Sequence, residues 1–179
     1  MTGRRRALTW LCALACAACG GHGARRSPSP VAQANATHEY PSPPPPQTTT
    51  HAAPSATLAI AAFVTAYINW NSQTVSSDMR SLAERSVGQA RAAMTLAAAE
   101  TADDYELKRG GIANSGTVEV VAPLAGGPNE YVVVTLESTS ATNTTAYQGL
   151  RPAWHVALAT VTEQSPGGRW AVSAWQPEN

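Results

Sequence analysis

The hydrophobic pattern changes period near the middle of the chain. In "TLAIAAFVTAYINW", residues 57–70, Ile60, Phe63, Val64, Tyr67 and Ile68 fall at i, i+3, i+4, i+7 and i+8. That spacing predicts a helix with one apolar stripe, and Ser55 or Thr57 can cap its start. "SDMRSLAERS" repeats the spacing with Met79, Leu82, Ala83 and Ser86 after Ser77. "SVGQARAAMTLAAAETADDY" does so with Val87, Ala90, Met94 and Ala97. Its alanines favour helix and allow neighbours to approach closely. Gly110-Gly111 ends the helical region.

Beyond that pair the period is two. Four segments read as strands: "GTVEVVAPL", "EYVVVTLEST", "AWHVALATVT" and "RWAVSAWQP". Between them lie the turn Gly126-Gly127-Pro128-Asn129, the polar connection "SATNTTA" and the turn Pro166-Gly167-Gly168. Successive strands joined this way predict an antiparallel meander. Gly149 and Pro152 before the third strand suggest a bulge or an edge start rather than central pairing. The fold class that follows is α+β: three N-terminal helices packed on a four-stranded antiparallel sheet.

Several strands are apolar on both faces, and helices cover only one. In the third strand Trp154, Val156 and Leu158 share one face, His155, Ala157 and Ala159 the other. The expectation is that the face with Ala153, His155, Ala157 and Ala159 stays uncovered and meets a protein partner or a second copy. On that reading Ala157→Arg leaves folding intact and weakens association.

Ahead of the domain the pattern is different. Arg4-Arg5-Arg6 is followed by a 12-residue apolar stretch, Ala7 to Ala18, then Cys19-Gly20-Gly21. A basic start, a short apolar run and small residues before a cut site form an export signal. The run is well short of the roughly 20 residues that span a bilayer. All three cysteines, Cys12, Cys16 and Cys19, sit here. A cysteine cluster without other ligands or a packed frame does not make a metal site, so the cluster reads as a bacterial lipoprotein signal. Cys19, preceded by Ala17-Ala18, is the expected acylated residue and Cys16 the second choice; plain secretion without lipid is the alternative. Anchoring at Cys19 leaves no thiol downstream, which excludes a cysteine nucleophile and a disulfide framework.

The expected organisation is a signal peptide over 1–18, a lipidated and disordered linker over 19–54, and one α+β domain over 55–179. The linker is rich in Pro, Ser and Thr and has few apolar side chains to offset its ordering entropy. His22, His38 and His51 fall in it and read as solvated residues. From residue 57 onward seven basic side chains face eleven acidic ones, a net charge of −4. No basic stripe exists there, so nucleic-acid binding is disfavoured.

"FVTAYINW", "SVGQARA", "YQGLRPAWHVALATV" and "RWAVSAWQP", with this element order, resemble the cone-shaped fold of nuclear transport factor 2 and its cystatin-like relatives. More narrowly they resemble a group of actinobacterial envelope lipoproteins. The resemblance implies an assembly module like the extracytoplasmic domains of conjugative transfer and type IV secretion machinery. Polyketide cyclases and ketosteroid isomerases share the fold, so it also admits an enzyme or a small-molecule binder using the cavity between helices and sheet.

An isomerase-type site needs a buried carboxylate base with a tyrosine or second acid as oxyanion donor. The candidates are Asp103, Asp104, Glu119, Glu137, Tyr67, Tyr131 and His155. Asp103 and Asp104 stand where a helix runs out, Glu119 on the solvent side of its strand, and His155 at a surface or interface. Trp70, Tyr67, Trp154 and Trp170 are the candidates for lining a ligand cavity, with Trp175 a further aromatic of the sheet. No nucleophile elbow, P-loop, dinucleotide fingerprint or metal-ligand pair is present, and no cofactor is implied. The reading is a membrane-anchored interaction module at the cell envelope without a catalytic motif.

Overall fold

The structure, a computed structural model, describes residues 46–165 and 167–178. Among these residues four helices precede most of a five-stranded sheet. The helices are α1 (Ala56–Ile68), α2 (Val75–Arg85), α3 (Gly88–Ala102) and α4 (Tyr105–Gly110). The strands are β1 (Trp70–Asn71), β2 (Ile112–Pro123), β3 (Glu130–Ala141), β4 (Ala153–Ser165) and β5 (Arg169–Glu178). The sheet runs β1-β2-β3-β4-β5, every pair antiparallel. The α+β class and the meander hold, with one helix and one short strand more than the pattern predicts.

Both additions come from side-chain capping. Asp104 does not end a helix but begins one: its carboxylate accepts from Leu107 N at 2.9 Å. Glu106 in the first turn and Lys108 and Arg109 in the last suit the helix dipole. Gly111, at φ 61°, stops α4 in the left-handed conformation. Asn69 ends α1 in extended backbone, which puts Trp70 opposite Asn114 and Asn71 opposite Ala113 as β1. At the other end of α1 the cap is Ser55, whose hydroxyl accepts from Leu58 N at 3.2 Å.

The helices cover one sheet face. Ile60, Phe63, Val64 and Ile68 of α1 join Met79 and Leu82 of α2 and Ala90 and Met94 of α3 over Val133, Ala157, Ala159, Val161 and Val172. The small side chains on β4 leave room for α1 to lie close. Register shifts at Val118/Val120 and at Thr160/Val161 mark bulges, which bend strands and increase twist. β4 is central, not an edge. Its first residues, Ala153 to His155, nonetheless pair only with β3, because β5 ends opposite Val156.

The edge strand β5 is capped by other parts of the chain. Ala53 and Trp170 exchange backbone hydrogen bonds of 2.8 and 2.7 Å, and Val87 N donates to Val172 O at 3.0 Å. Trp175 N donates to the Gln89 side chain at 3.0 Å. An edge tied at these positions offers a further strand less free ladder.

Ala53 belongs to a strap, residues 47–53, that the composition assigns to the linker. Gln47 accepts from Gly88 N at 2.7 Å, Thr49 N donates to Gln164 at 3.2 Å, and Thr49 Oγ1 donates to Glu84 O at 2.7 Å. Ala52 is buried. The described residues of the strap belong to the compact unit that holds the helices and sheet, fastened by these hydrogen bonds and by buried Ala52.

Candidate functional site

The sheet face away from the helices carries the large apolar side chains. Trp154 is 63% exposed, Val156 42% and Val120 44%. The register sets Val120 beside Val134, Val134 beside Val156, Leu136 beside Trp154, and Val132 beside Leu158. Val132, Val134, Leu136 and Leu158 are half-buried, and none of them belongs to the core cluster that the described helices cover. The result is one continuous apolar patch across β2, β3 and β4.

This inverts the expected faces. Ala157 and Ala159 are buried, at 5% and 0% exposure, against the helices. Ala153 and His155 share their face but are exposed, since they lie at the end of β4 that the core cluster does not reach. The interface assigned to these four residues is therefore corrected for Ala157 and Ala159. Trp154, a candidate for lining an internal cavity, is corrected too, because it stands on the outer face. Alternation separates the two faces but does not mark which one the helices choose.

On the helix-covered face a polar network interrupts the core. Asn114 Nδ2 donates to Ile68 O at 2.8 Å and to Glu137 Oε2 at 2.7 Å. Thr135 Oγ1 donates to Glu137 Oε1 at 2.6 Å, and Thr139 Oγ1 to Asn114 Oδ1 at 3.1 Å. Asn114 and Thr135 are buried. Of the candidate acids only Glu137 is drawn into such a cluster. His155 pairs with Thr135, and Ala153 with Glu137, so His155 and Glu137 are diagonal neighbours, roughly 7–8 Å apart by strand geometry. Asn114, Thr135 and Thr139 escaped the sequence reading. Their signal was the run Thr135, Glu137, Thr139 at every second position, a polar stripe continuing the apolar face of Val133.

The remaining candidates do not join this cluster. Tyr131 is on the same face as Glu137 but six residues along β3, about 20 Å away. Tyr67 stacks on Phe63 at 6.2 Å and meets the edge of Trp175 at 5.4 Å, while Phe63 meets Trp175 at 5.7 Å. Trp175 is buried and its indole N–H has no acceptor among the described residues. Glu119 is the extra residue of the β2 bulge, exposed, accepting from Thr117 Oγ1 at 2.6 Å. Asp103 ends α3. Trp70 is half-buried on β1 beside Asn114. Cys19 and Cys16 lie outside the described residues.

Trp170 does reach a cavity, of about 350 Å³, between α1, α2, β5 and the strap. Ala59, Phe63, Leu82, Ala171 and Val172 line its depth, and His51, Arg85 and Arg169 its polar side. Among the described residues no three His, Cys, Asp or Glu side chains are grouped to hold a metal ion. No described helix is long and apolar enough to cross a membrane. No protein-family model matches the chain, and a comparison with curated proteins found no match.

Proposed function

We propose that this chain is an exported lipoprotein, anchored through Cys19 at the outer surface of the cell membrane. Its domain, of the nuclear transport factor 2-like kind, acts there as a protein-interaction module, as in a transfer or secretion assembly. The observation that carries this reading is the uncovered apolar patch around Trp154, Val156 and Val120. Leaving such side chains in water forgoes roughly 25 cal/mol per Å² of apolar area, and a contiguous patch of them marks a contact surface.

The first partner we assign is a second copy of the chain. Four long strands about 4.8 Å apart, each about twelve residues at about 3.4 Å, outline a face of roughly 750 Å². The whole face is thus about the size of the ~800 Å² per partner of a standard interface, with the apolar patch on β2 to β4 as its centre. The outward positions of β2 to β4 across the patch, Val120, Val132, Val134, Leu136, Trp154, Val156 and Leu158, are uncharged. This uncharged centre can meet its own copy about a two-fold axis, with the acids of the same face, Glu130 opposite Thr160 and Glu178 opposite Val156, standing beside it. Sheet-on-sheet packing lets such side chains interdigitate.

An enzyme on the helix-covered face has less support. Both carboxylate oxygens of Glu137 already accept from Asn114 and Thr135.

Sedimentation of the unlipidated Cys19→Ala chain tests the contact. A dimer is expected, converted to monomer by Trp154→Arg with the circular dichroism spectrum unchanged. A monomeric parent chain, or a dimer indifferent to Trp154→Arg, overturns the assignment.

A further inference from the structure

We propose that the cavity between α1, α2 and β5 is a binding site for an anionic amphiphile: one carboxylate or phosphate headgroup on a compact apolar body. It is a separate feature from the outer sheet face, and neither inference needs the other.

The depth of the cavity is apolar. Ala59 and Phe63 of α1, Leu82 of α2, and Ala171 and Val172 of β5 are all buried residues that contribute to its wall. Its polar side is cationic. Arg85, in the last turn of α2, and Arg169, at the start of β5, both line it, and His51 of the strap adds a ring nitrogen donor. No aspartate or glutamate is among the lining residues. The domain holds only seven basic side chains in an acidic background, yet two of them border this one cavity.

Two guanidinium groups sharing one half-enclosed space repel each other, and the repulsion grows as water is excluded. An anion between them reverses the sign of that interaction. Guanidinium groups also present planar forks that match carboxylate and phosphate oxygens. Arg169 is already oriented, because its Nη2 donates to Ala52 O in the strap. The Arg85 side chain makes no hydrogen bond among the described residues and is exposed, so it is available to a ligand. The volume, about 350 Å³, is at the lower end of the roughly 300–1,000 Å³ of ligand pockets. That favours a single short chain or ring over a two-chain lipid.

The strap gives the site a second property. Thr50, His51 and Ala53 form one wall, so a bound ligand bridges the strap to the helical layer and β5.

The test is calorimetric titration of the full chain, in its unlipidated Cys19→Ala form, with octanoate, octyl phosphate, octanol and acetate, each kept below micelle concentration. One-to-one saturable binding is expected for octanoate or octyl phosphate. The tighter of these two names the headgroup. Octanol lacks the charge and acetate the chain, so both should bind at least about tenfold more weakly, the loss of one charge-assisted hydrogen bond or of several buried methylenes. Arg85→Gln should weaken the anionic amphiphile by about tenfold and leave octanol unchanged. The proposal is overturned if neither anion binds saturably, if octanol matches them, or if Arg85→Gln leaves their affinity as it was.

Discussion

The side chain of Asn69 stands in for a strand beside Gly116. Its Oδ1 accepts from Gly116 N at 3.0 Å and its Nδ2 donates to Gly116 O at 3.1 Å, while the same Nδ2 reaches Thr65 O at 2.8 Å. One carboxamide thus closes the end of α1 and continues the β1 edge where the backbone has already turned away. Gly116 is required on the other side: a Cβ there would sit 2.6 Å from Leu136 O and 3.0 Å from Glu137 Cγ.

Asn69→Ala removes both bonds to Gly116 and is expected to cost about 1–2 kcal/mol, since the site is exposed and water replaces part of what is lost. Asn69→Asp keeps the acceptor but loses the donor and should fall between. Gly116→Ala should cost more than Asn69→Ala, because the obstacle is backbone and β2 must shift against β3. Urea midpoints of the three variants check the order.

Ala157→Arg and Val156→Arg are adjacent substitutions with opposite expected outcomes. Ala157 is buried beneath the helices, where an unpaired guanidinium costs several kcal/mol, so the variant should lose cooperative unfolding. Val156 points to the outer patch, so its variant should still unfold cooperatively, losing only the stabilisation that self-association gives the parent chain. Circular dichroism melts of both variants read the difference directly.

Trp175 combines a packed ring with a buried N–H that has no acceptor among the described residues. The unsatisfied donor costs about 1–3 kcal/mol. Trp175→Phe removes it along with some ring volume, so the two effects oppose, and a net change within about 1 kcal/mol is expected. Trp175→Ala has no such offset and should cost about 3–5 kcal/mol. Chemical denaturation of the pair separates packing from polarity.

Arg91 holds the strap to the helices. Its Nε donates to Ser86 O at 2.8 Å and to Ala83 O at 3.2 Å, and its Nη2 to Thr48 O at 3.0 Å. A cation on the last carbonyls of α2 also suits the helix dipole. Arg91→Met should speed amide hydrogen exchange at Thr49 more than at Ala53, which keeps its backbone pairing with Trp170. Equal protection of both amides in variant and parent would show that the strap needs no such clamp.

Anchoring makes a chemical prediction. Metabolic palmitate labelling should mark the chain and disappear in Cys19→Ala. Label retained in that variant moves the anchor to Cys16, and label absent from both leaves a secreted protein.

The alternation of Trp154, His155, Val156, Ala157 and Leu158 by itself determined that two faces exist and which residues share each. The stripe Ile60, Phe63, Val64 and Ile68, and the glycine stop at Gly111, were equally legible, because local periodicity and local turn chemistry are written in neighbouring residues. Glu137 could be named as a candidate acid, and its partner Thr135 lies two residues away on β3, but its other partner, Asn114, comes from β2 and is held in turn by the end of α1, and strand register is not a local property. Only the tertiary structure decided which sheet face the helices took. Large apolar side chains on β4 would hold α1 away, whereas Ala157 and Ala159 let it lie close, so the smaller residues went inside and Trp154 was left facing out.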